Sequence, residues 1–129
     1  MSVQVSVQKI KDIWSPYRMK LWCRTTVHMT DVRREIKLGR FIKKPWSMRR
    51  GWTSEQHAQR IAWLVVNGWA DPIEVDVGIP GIMGGFMLPD LITDGNHRLA
   101  AAIYRRDKTI LANVSGSASY ARELLGVDI

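Results

Sequence analysis

Leu91-Ile92-Thr93-Asp94-Gly95-Asn96-His97-Arg98-Leu99-Ala100-Ala101-Ala102-Ile103 passes from an apolar pair, through a polar cluster around one glycine, into a strongly helix-forming run. The order predicts a strand, a tight turn and a helix start, with an acid, an amide, an imidazole and a guanidinium gathered at the turn. Free N–H groups and the helix dipole favour an anion at such a place. A plain helix cap with a surface histidine and arginine fits the same residues.

Upstream, Pro72 opens a half-buried strand in which Ile73, Val75 and Val77 alternate with Glu74 and Asp76. Gly78 to Pro89 holds four glycines and two prolines and is expected to close a hairpin, with Leu88 to Thr93 as the returning strand. No Lys-Ser/Thr pair follows these glycines, which excludes a phosphate loop of that type. Before the strand, Thr53 and Gln56 stand at capping-box spacing, and Ala58, Ile61, Ala62, Val65 and Val66 make an apolar stripe ending at Asn67-Gly68. His57 in its first turn is expected to be a surface histidine. After the polar turn a helix is expected from Asn96 to about Arg106, burying Leu99, Ala100 and Ile103. A strand over Thr109 to Val114 and a short helix over Ser117 to Leu125, packing Ala118, Ala121, Leu124 and Leu125, complete the chain.

The amino-terminal part is less regular. Val3, Val5 and Val7 alternate with Gln4, Ser6 and Gln8, as in a strand, and Ser15-Pro16 breaks the segment that follows. Residues 17–29 suit neither helix nor strand clearly. Thr30-Asp31 reads as a cap for a helix over Val32 to Leu38, stopped by Gly39. Between Arg33 and Arg50 lie Arg33, Arg34, Lys37, Arg40, Lys43, Lys44, Arg49 and Arg50 against the single acid Glu35, interleaved with Phe41, Pro45, Trp46 and Met48. A solvated loop whose long side chains cover apolar residues explains this run, and so does a groove that neutralises a nucleic-acid backbone. Trp14, Trp22, Trp46 and Trp52 are expected in the core, although an exposed aromatic interface to a second copy would use the same residues.

Composition sets the outer limits. With 129 residues, of which 46% are hydrophobic and 24% charged, the chain is expected to form one cytoplasmic domain with no membrane span. Its basic Trp-rich part would cover residues 1–52, its core 53–115 and its last helix 116–129. Cys23 is the only cysteine, which excludes an internal disulfide and a cysteine-based zinc cluster. A net charge of +7 and a pI near 10.0 favour phosphate-rich partners, nucleic acid or nucleotide.

Asn67-Gly68, Asp71-Pro72-Ile73-Glu74-Val75 and Gly95-Asn96-His97-Arg98-Leu99-Ala100-Ala101 fall in the order that the ParB/sulfiredoxin-like superfamily shows, and the second half of the chain resembles it. The resemblance implies an α+β domain, a small mixed sheet with packed helices. It also implies a nucleotide-phosphate site lined by Gly95, Asn96, His97 and Arg98. Asn96 stands where sulfiredoxin has its catalytic cysteine, which argues against sulfinic-acid reduction. His97 replaces a turn arginine of the ParB proteins, and little chain follows the last strand, which argues against centromere binding of their kind. The Asp-Gly-x-His-Arg form is more similar to branches that hold free-serine kinases and small plasmid or phage proteins described as ATPases or nucleases.

The expected function is therefore phosphate or nucleotide binding in nucleic-acid metabolism, as an NTP hydrolase or nuclease. Asp94, His97 and Glu74 would be its catalytic residues, with Arg98 on the phosphate oxygens. Asp94 and Asp76 would hold Mg²⁺, and a nucleoside di- or triphosphate would be the cofactor or substrate. A non-catalytic nucleic-acid- or protein-binding module, as regulator or inhibitor, is the alternative. A small-molecule kinase ranks third.

Overall fold

The computed structural model describes residues 1–22, 25–45, 51–80 and 90–129, with the backbone of 86–87. Cys23, Trp46, Met48, Arg49, Arg50, Gly81, Gly84, Gly85 and Leu88, all singled out in the sequence, lie outside the described residues. The fold is α+β, as expected, with a small mixed sheet. Contacts divide the chain into two compact units: Met1–Trp14, Asp71–Asn96 and Asp107–Ile129 in the first, and Ser15–Ala70 with His97–Arg106 in the second.

The first unit is built on the alternating strand β2 (Ile73–Asp76), where Ile73 and Val75 are buried and Glu74 and Asp76 half-buried. It lies between β6 (Thr109–Ser115), parallel to it, and β5 (Ile92–Asp94), antiparallel to it. The strand β1 (Ser2–Ser6) completes a four-stranded sheet in the order β1-β6-β2-β5. The antiparallel pairing of β2 with β5 is the expected hairpin, although its returning strand begins at Ile92. Inside the segment expected as a long turn, two short strands, β3 (Ile79–Pro80) and β4 (Phe86–Met87), also pair antiparallel.

The opening alternation overstates β1. Val7 leaves the strand and starts helix α1 (Val7–Ile13), because the Ser6 hydroxyl accepts the Lys9 N–H at 3.2 Å and caps it. Val7, Ile10 and Trp14 are all buried, at a spacing that serves a helix face better than a strand. At the other end, Ser117 caps α5 (Ala118–Tyr120), which widens into a π-helical turn at Ala121–Leu125. Ala121 and Leu125 are buried, but Ala118, expected to pack, is exposed.

The second unit contains α2 (Met29–Leu38), α3 (Ser54–Asn67) and α4 (Asn96–Arg105) from His97 onward. The capping box of α3 forms as expected: Thr53 N–H donates to Gln56 Oε1 at 2.9 Å and Gln56 N–H to Thr53 Oγ1 at 3.2 Å. Helix α2 begins earlier than expected. Asp31 accepts the His28 N–H at 2.9 Å, so it is the third helical residue reaching back, and His28 is the cap. Gly39 ends the helix at φ 66, as expected of a left-handed stop.

Glu35, the one acid of the basic run, is fully buried on α2. Its carboxylate takes Arg40 Nε at 3.0 Å, Arg34 Nε at 3.6 Å and Gln59 Nε2 of α3 at 3.4 Å. The loop after α2 is clasped to α3 by Ile42 N–H on the Gln59 carbonyl at 3.2 Å and by Arg60 on the Lys43 carbonyl. The Tyr17 hydroxyl donates to the Ala100 carbonyl of α4 at 2.6 Å, and burial pushes that phenol well above its ordinary range. Among the described residues, no helix is long and apolar enough to cross a membrane.

Candidate functional site: a histidine pair between tryptophans and arginines

In the second unit the side chains of His57 and His97 meet. His57 is one residue past the capping box of α3, and His97 is the second residue of α4. His57 Nδ1 and His97 Nε2 stand 2.8 Å apart, so one imidazole donates its N–H to the other. The rings are close to coplanar, 16° apart, and the Trp22 indole is stacked on both, at 4.6 Å from His57 and 4.5 Å from His97. Trp52 approaches the pair at a tilt of 59°, with centroids at 5.4 and 6.1 Å.

His57, expected at the surface, is 1% exposed. The correction has a simple cause: His57, Ile61 and Leu64 follow helical spacing, and all three are buried. Trp14 and Trp22 are buried too, as expected, and Trp52 is half-buried. Among the described residues these tryptophans therefore offer little surface to a second copy.

Burial lowers the His57 pKa from 6.5 to about 4. Burial also holds His97 well below the ordinary histidine range, and the charges of His57, Arg60 and Arg98 push the same way. Arg60, which packs on Trp63 with its guanidinium 5.2 Å from the ring centre, is itself lowered by burial and by Arg98. The pair is thus neutral at pH 7, and two guanidinium groups act on it.

Stability should follow from this. Unfolding returns His57 to a pKa near 6.5, so the unfolded chain binds the proton first as pH falls. The stabilisation is complete above pH 6.5 and is lost as pH drops towards 4. The fall from 6.5 to about 4 corresponds to about 3 kcal/mol for His57 alone. Urea unfolding between pH 7 and 4.5 should show the midpoint falling already between pH 6.5 and 5, above most carboxylate titration. A flat midpoint across that window would contradict the buried neutral pair.

The other candidate residues of the sequence lie in the first unit. Glu74 and Asp94 are cross-strand partners on β2 and β5, which puts both carboxylates on one face. That face continues across the sheet: Asn113 donates to Glu74 Oε1 at 2.9 Å, and the Ser2 hydroxyl donates to Asn113 Oδ1 at 2.8 Å. Asp76 accepts the Gly78 N–H at 2.9 Å and so serves a turn. Asn96 is engaged as well, its side-chain oxygen taking the Trp14 indole N–H at 2.9 Å. Gly95 adopts φ 107 with Ile73 of β2 filling the space where a side chain would begin. Among the described residues, no three of His, Cys, Asp and Glu gather as a metal would require.

The basic run resolves into two sets. Arg34 and Arg40 are diverted to Glu35, and Arg34 also to Asp31 at 3.5 Å. Arg33, Lys37, Lys43 and Lys44 are exposed. The chain matches no protein-family model, no curated protein and no solved structure.

Proposed function

We propose that this chain binds phosphate groups in nucleic-acid metabolism, with Arg60 and Arg98 around the His57–His97 pair as its oxyanion site. The observation that carries the reading is the concentration of like-charged groups on one histidine pair, with His57 buried and His97 half-buried. Arg60 and Arg98 both act on His97, and Arg98 acts on Arg60. Guanidinium groups suit a tetrahedral oxyanion because their N–H groups pair with two oxygens at once. The Asp94-Gly95-Asn96-His97-Arg98 turn and its resemblance to the ParB/sulfiredoxin-like superfamily support the same ligand class, and an NTP hydrolase or nuclease is the activity to assay.

Arg98→Ala should weaken binding of a nucleoside triphosphate by about 10- to 100-fold, the value of one lost charge-assisted contact. Calorimetry on a variant that still unfolds cooperatively is the check. Undiminished affinity would remove Arg98, and with it the site, from the reading.

The second reading, a nucleic-acid-binding module without turnover, draws on the exposed cations Arg33, Lys37, Lys43 and Lys44. If all four contact phosphates of a duplex, log affinity should fall with log salt at a slope of about −4. Reversing two of the four charges should roughly halve it. A slope near zero would exclude a surface that tracks a phosphate backbone.

A further inference from the structure

A strand at the edge of a sheet presents a row of open N–H and C=O groups, and that row is a template for another chain. The two edges of the four-stranded sheet meet this hazard differently. Strand β5 is three residues long, pairs with β2 through a register shift at Glu74–Val75 and carries the charge of Asp94. Strand β1 is five residues long, and Ser2 to Ser6 contain no charge, no proline and no register shift. Short length, bulges and charge are the devices that keep natural edges apart. One edge has them and the other does not.

Which groups of β1 are open follows from its register. Val7 N–H donates to the Lys108 carbonyl at 3.0 Å, and facing residues of an antiparallel pair alternate between bonded and non-bonded. Val5 with Ile110 and Val3 with Ala112 are therefore bonded pairs, and the backbone groups of Ser2, Gln4 and Ser6 point away from β6. The Ser6 carbonyl is taken into α1, which Ser6 caps. Ser2 and Gln4 are exposed and Ser6 is half-buried. Among the described residues no further backbone hydrogen bond reaches this outer row.

The strand's own sequence selects the occupant. Ser2-Val3-Gln4-Val5-Ser6 reads the same in both directions, so a second copy laid antiparallel about Gln4 meets it like against like. We propose that the outer edge of β1 is a homodimer interface, in which two copies pair about a two-fold axis at Gln4 and join their four-stranded sheets into one of eight. Each Gln4 N–H donates to the Gln4 carbonyl of the other copy, and each Ser6 N–H to the other copy's Ser2 carbonyl. Val3, half-buried, gains Val5 of the second copy at a non-bonded position, where facing side chains stand closest and β-branched pairs favour the sheet. A slip of one residue sets the outer row against groups already used by β6, and a slip of two leaves residues unpaired. The interface is small, so the dimer is transient, with a Kd on the order of 100 µM.

Sedimentation equilibrium from about 10 µM to about 1 mM, in about 0.15 M salt to screen the net charge of +7, should show a monomer passing to a dimer. Over the same range the Gln4 and Ser6 amides should become protected from hydrogen exchange, while those of Val3 and Val5 are protected throughout. Gln4→Lys and Gln4→Glu each set like charges face to face on the two-fold axis and should weaken the dimer about fivefold or more. Mixed in equal amounts, the two variants should recover the wild-type affinity or exceed it. That rescue belongs to an interface that puts position 4 against itself, and Gln4 is exposed, so neither change touches the core. A monomer throughout overturns the proposal and leaves the edge to a strand of a different protein. A dimer that both variants leave unchanged, or a mixture without rescue, places the contact elsewhere and overturns it too. If either variant fails to fold, the wild-type Gln4 and Ser6 amides decide: exchange that does not slow with concentration overturns the pairing.

Discussion

Trp22→Ala should destabilise the protein by about 3–5 kcal/mol, the range for removing a large buried aromatic side chain. Trp22 is 3% exposed, and its indole covers both imidazoles of the histidine pair. The substitution removes dispersion contacts and also opens a polar pair to water, where the two rings no longer depend on each other for a hydrogen bond. Equilibrium urea unfolding at pH 7.5 measures the loss. A second consequence separates this tryptophan from any other buried one. Hydration of the cavity should bring the His57 pKa up from about 4 towards 6.5. A loss below about 1 kcal/mol, with His57 still titrating near 4, would show that Trp22 does not cover the pair.

Gly95→Ala should cost about 2–5 kcal/mol, from two sources. The residue sits at φ 107, outside the regions open to side chains. A methyl group there would come within 2.4 Å of Ile73 Cγ2 and 2.8 Å of Ile73 Cβ, and within 3.2 Å of Ile73 Cα. The first atoms belong to a stiff β-branched side chain and the last to the backbone of the central strand, so relief requires β2 itself to move. Gly39→Ala is the control: it also has a positive φ, 66, but nothing stands within 4 Å of the added carbon. Its cost should stay near 1 kcal/mol. Equal losses at the two positions would assign the Gly95 effect to backbone conformation alone. The glycine of the polar turn is thus accounted for by packing against β2.

What the chain reveals in one dimension is what its residues do locally. Thr53 and Gln56 cap α3 because both partners are within one turn, and the Ile73-Glu74-Val75-Asp76 alternation forms β2 because its period belongs to a strand. Residues Asn96 to Arg105 form the expected helix for the same reason. Val7 misled because β-branched residues suit a strand while the Ser6 hydroxyl before it can begin a helix, and the cap prevailed. The histidine pair was not legible at all, since its members are forty residues apart on two helices. One signal was present: His57 is in step with Ile61 and Leu64, so its face was that of the core. Charge counting likewise overstated the basic run. Glu35 is one residue among eight cations, yet its burial draws in both Arg34 and Arg40.

The pairing of β1 with β6 has a kinetic consequence. Ser2 lies opposite Asn113, and Ser6 opposite Thr109, so the first strand has no lasting neighbour until more than a hundred residues have followed it. The second unit has the same difficulty, because Ser15–Ala70 needs the helix contributed by His97–Arg106. During synthesis neither unit can close before most of the chain has left the ribosome, and contacts so distant in sequence slow folding. Nor does cutting the chain at one point give two pieces that each keep a whole unit. The interleaving of three stretches in the first unit with two in the second ties the protein's maturation to synthesis of the polypeptide through β6.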